Sequence, residues 1–588
     1  MIATWRLLLE QHKARMLTQP FWRLVSHFGL RLTAAGDAGE GELNLGIGAI
    51  LALLAAPGGF ISILLFNKYS SLLRWVRGQL EFDPYPASLG DQYFFFAFSV
   101  AITGIVTVLK WDSIFPDRRD YANLAPLPIR TRTIFLANIT AIITLAVIFA
   151  VDVNLFSSFL FSMDVTINLK FHDFLAFSAT HALGVLLASL FTFFALFAII
   201  GLLMVVLPEA AFRRVSIYAR MAVVTALLLL LCYSFAVLPL LTAPAGTRGK
   251  VFELLPPVWF LGLSRTLLHR ADPDLMRLGM MGLKLTGLAM VTAAGVYVLS
   301  YYRHFIRLPE MLDTTTARRN RSRVWNMLGR AADRIMLRTP FERAEYRFAM
   351  KALLRSDRHM LFFGGFAGLG VVIAAQTLAS AFAHPPAAAP GLPGVAILSL
   401  PFIISYTVIC GLRFVFELPA ELRANWLHRA IVDYDQHQAA RLARKIMLTF
   451  VWPWLALVAL PIYARAFGWT LAAGHVAVVM TASYCLAGVL LRRYRKVPFT
   501  CAYAPWKQSA TVMAVLYALG FLMFVTTVPE WERIFLRRSP WMLWLLAAMI
   551  FAAWKLYAWF RYDELDETHL VFEEPEAAGY QWLNLQGR

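Results

Sequence analysis

Seven polar or ionisable residues stand inside long apolar stretches of the sequence: Asn138, Asp152, His181, Lys284, Gln376, His475 and Lys555. An unpaired charge in hydrocarbon costs several kcal/mol, so such residues mark pathways, relays or internal pairs. Asp152, Lys284 and Lys555 lie near the ends of their stretches, where a long side chain can carry its charge back to the interface. His181 and Gln376 lie nearer the start or middle and are the candidate pathway residues. Carboxylates at mid-stretch are scarce, which weighs against a relay driven by an ion gradient. Outside the apolar stretches, His269, Asp272 and Asp274 share no helical face and read as a solvated turn, and His172 with Asp173 reads as an interfacial anchor. Asp433, Asp435 and His437 have no apolar pocket around them. Cys232, Cys410, Cys485 and Cys501 are far apart, without metal-ligand spacing. Gly246, Thr247, Arg248, Gly249 and Lys250 lack the Gly-x4-Gly-Lys-Ser/Thr spacing of a phosphate cradle. No catalytic, metal or cofactor site is therefore expected within this chain.

The elements that hold these residues follow from composition. Of 588 residues, 59% are hydrophobic and 15% charged, against roughly 45–50% and 25% in soluble domains. A water-soluble globule and a disordered chain are both excluded. At about 20 apolar residues per crossing, the runs at 45–66, 92–110, 134–156, 174–207, 216–242, 279–302, 359–382, 395–416, 446–468, 470–491, 508–528 and 541–560 read as twelve spans. The fold expected is all-α and polytopic, with about 12 transmembrane helices. The run at 174–207 is long for one crossing, has no proline before Pro208, and is read as one long helix.

Charge sets the orientation. With the N-terminus inside, cytoplasmic segments hold 39 of the 55 Lys and Arg and outer loops 13, five of these in loop 243–278. That bias is the positive-inside pattern, so the formal charge of +19 points to anionic lipid headgroups and not to nucleic acid. Residues 1–44 hold an amphipathic helix expected in the interface, 45–302 a first six-helix half, and 303–358 a linker rich in basic residues. Residues 359–560 make a second six-helix half, and 561–588 an acidic tail. The stretch 251–261 is too short to cross and is expected to dip into the outer leaflet. Both termini are placed in the cytoplasm of a plasma (inner) membrane.

In each half, the second span runs into a charged, proline-bearing segment that feeds the third. The first copy contains Asp117, Arg118, Arg119, Asp120, Leu124, Leu127, Pro128, Ile129 and Arg132; the second contains Glu417, Leu418, Pro419, Glu421 and Arg423. Asp120, Leu124, then Leu127-Pro128-Ile129, then Arg132, Ile134 and Ala137 resemble the cytoplasmic stretch between the second and third spans of type 2 ABC exporter permeases. Here Asn138 replaces a lysine common at the next span's start. The resemblance implies a coupling helix, with Asp117, Arg118, Arg119, Asp120, Leu127 and Pro128, and in the second half Glu417, Pro419, Glu421 and Arg423, facing a separate ABC ATP-binding subunit. It also implies two permease halves fused in one chain, with ATP bound by the partner alone. The substrate would be a small molecule or lipid. A twelve-helix secondary transporter is the alternative, although the 2–3 loop lacks its Gly-x-x-x-Asp-x-x-Gly signature; a membrane scaffold or polytopic lipid-modifying enzyme is a third.

Overall fold

The computed structural model describes residues 20–33, 47–70, 83–111, 130–244, 247–300, 337, 339–383, 393–420, 425–426, 428, 437–492, 494, 496–500 and 510–560. These residues are helical or in short turns, with no strand among them. Among the described residues ten helices are long and apolar enough to cross a membrane, which makes this an all-helical, membrane-embedded protein. Two of the twelve expected spans fall outside the ten, although both runs are helical: Ile47–Tyr69, and Ala510–Leu522 continuing through a π turn into Val528–Leu536.

The chain divides into two compact units, residues 1–37 with 43–317 and residues 38–42 with 318–588. The first holds α1 (Pro20–Thr33), α2 (Ile47–Tyr69), α3 (Leu89–Leu109), α4 (Thr131–Phe156), α5 (Phe171–Val206), α6 (Glu209–Cys232), α7 (Pro256–Leu267) and α8 (Pro273–Ser300). The amphipathic α1 packs along α4 and turns Leu24 and Phe28 inward. The long run at 174–207 is one continuous helix of 36 residues, roughly 54 Å at 1.5 Å per residue. It ends where Pro208 forces Leu207 into extended backbone. Its small-residue face meets α3 and α4, where Ser189 Oγ bonds Ser99 Oγ (2.6 Å) and accepts from Thr103 (3.1 Å) and Asn154 (3.0 Å). Small side chains let helices approach closely where no hydrophobic effect drives them together.

The second unit holds α9 (Pro340–Arg355), α10 (Asp357–Ala383), α11 (Val395–Val415), α12 (His437–Trp454), α13 (Leu460–Phe467), α14 (Trp469–Leu490), α15 (Ala510–Leu522), α16 (Val528–Leu536) and α17 (Met542–Phe560). Thr339 caps α9 by accepting from Glu342 N–H (3.2 Å), with Pro340 at the first helical position. Pro401 lies inside α11 and cannot donate to the Ile397 carbonyl one turn back. The Tyr463 hydroxyl of α13 fills that vacancy, donating to Ile397 O at 2.5 Å.

Candidate functional site

Loop 243–278 carries five basic residues on the side where few were expected. Four of them are engaged within its hairpin or with α3's entry. Arg248 pairs with Asp272 (2.7 Å) and Arg277 with Glu253. Arg265, 2% exposed, donates to Tyr85 O (2.9 Å) and Ser88 Oγ (2.8 Å), and Arg270 lies over the Tyr85 ring at 3.8 Å. These cations anchor a structure and do not report topology. The stretch expected to dip, 251–261, forms a helical turn and the start of α7, with Trp259, Phe260 and Leu261 buried. Asp272, read from sequence as part of a solvated turn, accepts from Leu275 N–H (2.8 Å) at the start of α8. Burial acts to raise its carboxyl, but the Arg248 guanidinium and the Leu275 and Asp274 backbone groups outweigh that and hold it below the usual carboxylate range.

Of the expected coupling residues, Asp117, Arg118, Arg119, Asp120, Leu127 and Pro128 lie outside the described residues, as do Glu421 and Arg423. Glu417 and Pro419 are described. Glu417 is buried between Arg413 and Lys496, bonding both. Its carboxylate therefore neutralises a buried lysine and a half-buried arginine and does not present itself at the surface; Pro419 is half-buried. The segment that carries them is tied on several sides. The His359 imidazole Nε2 at the start of α10 donates to Leu418 O (3.0 Å), while its Nδ1 accepts from Ser356 Oγ (2.5 Å). Ala420 N–H donates to Phe499 O (2.9 Å), and Phe499 N–H to Phe416 O (3.4 Å). Phe499 has φ of 69°, a conformation that a bulky residue adopts only when its surroundings hold it there. Its ring lies against His359 (5.0 Å) and Phe416 (5.5 Å). Lys445 donates to Glu342 (2.6 Å), binding α12 to α9, and Glu345 pairs with His428 (2.8 Å).

The candidate pathway residues separate. Gln376 is exposed on α10. His181 is fully buried on α5, ringed by Phe95, Phe96, Phe161 and Phe177. Its Nδ1 is 3.4 Å from Gln92 Nε2 of α3, which also donates to Ser264 Oγ of α7 (3.1 Å). A matching arrangement occurs in the second unit. His475 of α14 is fully buried, faces Phe402 of α11 (6.0 Å) and Tyr463 of α13 (4.7 Å), and bonds Glu532 of α16 through Nδ1 at 2.9 Å. α4 runs into a π turn at Ser157–Phe161 and α12 into one at Leu455–Ala459, and the aromatic ring against the histidine lies at or just beyond it. His181 of α5 reaches the short α7, just before α8, through Gln92, and His475 of α14 reaches the short α16, just before α17. The two units thus share this internal arrangement around a buried histidine.

Sequence reading singled out His475 only as a polar residue in an apolar run, and passed over Gln92, Ser264 and Glu532. Glu532 follows the apolar run at 508–528 and looks solvated; nothing local marks its partner 57 positions earlier. Asn138 is buried and donates to Tyr297 OH (2.7 Å), whereas Lys284 and Lys555 are exposed, Lys555 over the Phe551 ring at 5.6 Å. His172 and Asp173 lie 3.3 Å apart on the surface. Among the described residues no group of His, Cys, Asp and Glu could hold a metal ion.

Fold and sites together define a polytopic membrane protein built from two similarly organised helical units. The chain matches no family model, no curated protein and no solved structure.

Proposed function

We propose that this chain is the membrane-spanning permease of an ATP-driven ABC exporter, working with a separate ATP-binding subunit and itself binding no nucleotide. The reading rests on the resemblance of residues 120–137 and on a two-unit architecture. The single observation that carries it furthest is the bracing of the second proline-bearing segment. Glu417, Leu418 and Ala420 are tied to α10, α11 and the 496–500 loop, so a push on this segment is passed to several helices at once and not absorbed by a slack turn. Closure of the ATP-binding partner would then reorient each half as a body. Residues 117–132 would play the same part in the first half.

The test is ATPase coupling. The chain is co-purified with its ATP-binding partner, and Arg119→Glu with Asp120→Lys is compared with the native sequence. Loss of transport-stimulated ATP hydrolysis with normal membrane insertion is the expected result; unchanged coupling removes the reading. A gradient-driven transporter is the second reading, favoured by the buried ionisable pair His475–Glu532. It requires transport that persists without ATP and collapses with the proton gradient.

A further inference from the structure

We propose that His475 and Glu532 form a proton-binding latch: docking of α16 onto α14 takes up one proton from solution, and undocking releases it. The inference concerns a local equilibrium and holds whichever energy source drives transport.

Both side chains are 0% exposed, and beyond their mutual bond the His475 Nε2 and Glu532 Oε1 atoms meet no hydrogen-bonding partner. A dry pair of this kind tolerates one charge state. With one proton between them the two groups are net neutral; with two they form a buried cation, with none a buried anion, and an uncompensated buried charge costs several kcal/mol. In agreement, burial pushes the Glu532 carboxyl up, opposed by the charge and hydrogen bond of His475.

Among the described residues no other charged group bonds the pair. From α13, the Tyr463 hydroxyl is committed to Ile397 O, and from α11 the Tyr406 hydroxyl donates to Tyr517 O (2.7 Å). Arg465 of α13 is exposed, and Glu530 and Arg533 on α16 pair with each other (3.5 Å). The remaining cations of the packed helices lie toward the far end of α14. Arg413 of α11 donates to Leu490 O (3.2 Å), and Arg444 of α12 lies over Tyr484. Arg441 and Lys445 flank Arg444 on the same helix. On α17, Leu543 faces Gly474 beside His475, whereas Trp554, next to Lys555, faces Gly488. The Cys485 thiol is ten residues along α14, roughly 15 Å away, and Cys410 is two turns along α11 from Phe402.

The sign follows from the protons held on each side of the equilibrium. An imidazole and a carboxylate in water share about one proton between roughly pH 4.3 and 6.5, and none well above 6.5. The docked pair keeps one throughout. Docking is therefore pH-neutral near pH 5.5 and takes up a proton above about 6.5, where it weakens up to about tenfold per pH unit. The first unit provides an internal control, because Gln92 and Ser264 tether α7 to His181 without a carboxylate.

The experiment is amide hydrogen exchange on the full chain in lipid nanodiscs from pH 5.5 to 8.5, corrected for intrinsic exchange chemistry. Protection of residues 528–536 is expected to hold level to about pH 6.5 and then fall up to tenfold per unit, while residues 256–267 stay flat. Glu532→Gln abolishes the fall above about pH 6.5 and leaves only a rise below it, as the imidazole sheds its proton to be buried neutral, and His475→Gln moves the onset of the fall down toward about pH 4.3, since the carboxyl must then carry the proton alone. A level native profile across the range, an equal fall in 256–267, or a native slope in Glu532→Gln overturns the proposal. If the variants fail to fold, the native comparison of the two segments still decides.

Discussion

Glu417 separates two roles that a carboxylate in a cytoplasmic-type loop can play. As a surface handle it would be removable at little cost in stability, with the loss felt in coupling. Buried against Arg413 and Lys496, it is instead their counter-ion, and its removal takes the balancing charge from both. Glu417→Ala is expected to destabilise the second unit by about 3–5 kcal/mol, the range for breaking a buried pair from one side, read as a lower unfolding temperature in detergent. Pro419→Ala, which touches no such pair, should leave that temperature nearly unchanged. Asp272 illustrates the opposite balance. Its carboxyl is held below the ordinary range by Arg248 and backbone donors, so its contribution is present above about pH 3.9 and disappears as pH falls through the depressed value. Exchange of the amides in 250–267 should therefore rise only below about pH 4, and Asp272→Asn should raise it at neutral pH.

Between α7 and α8 the contact is made by backbone. A methyl at Gly262 would come 2.2 Å from Leu275 O, and one at Gly279 would come 2.7 Å from Leu263 N. Neither neighbour is a side chain that can rotate away, so the short helix must lift from α8. Gly262→Ala is expected to cost about 1–3 kcal/mol or more and to break the Arg265 bonds to Tyr85 and Ser88, visible as faster tryptic cleavage in 248–277. Gly287, with open space around it, is the matched control. This layer of structure is also where the sequence becomes opaque. The long helices were legible because about twenty apolar residues in a row satisfy one physical requirement locally, and the 174–207 run, read as one helix, is one helix. The π turns at 157–161 and 455–459, the Gly262–Gly279 contact and the His475–Glu532 bond were not, since each depends on what a distant segment places opposite. Polar residues in apolar runs pointed to His181 and His475 without indicating what they bond.

At the scale of the whole molecule, the two units repeat one plan with different chemistry. The first closes its buried histidine with an amide that in turn bonds a hydroxyl, the second with a carboxylate. The expected orientation of both halves rests on the charge bias of 39 to 13. Four of the thirteen basic residues expected outside are held by partners within the fold. The consequence is a topology that can be read chemically. With Cys232, Cys410, Cys485 and Cys501 replaced by serine, a membrane-impermeant maleimide should label Gly246→Cys in intact cells. Arg119→Cys and Asn320→Cys should react only after the cells are permeabilised. Labelling of Arg119→Cys from outside would put the first proline-bearing segment beyond reach of any ATP-binding partner, and the exporter reading would fall while the two-unit architecture stood.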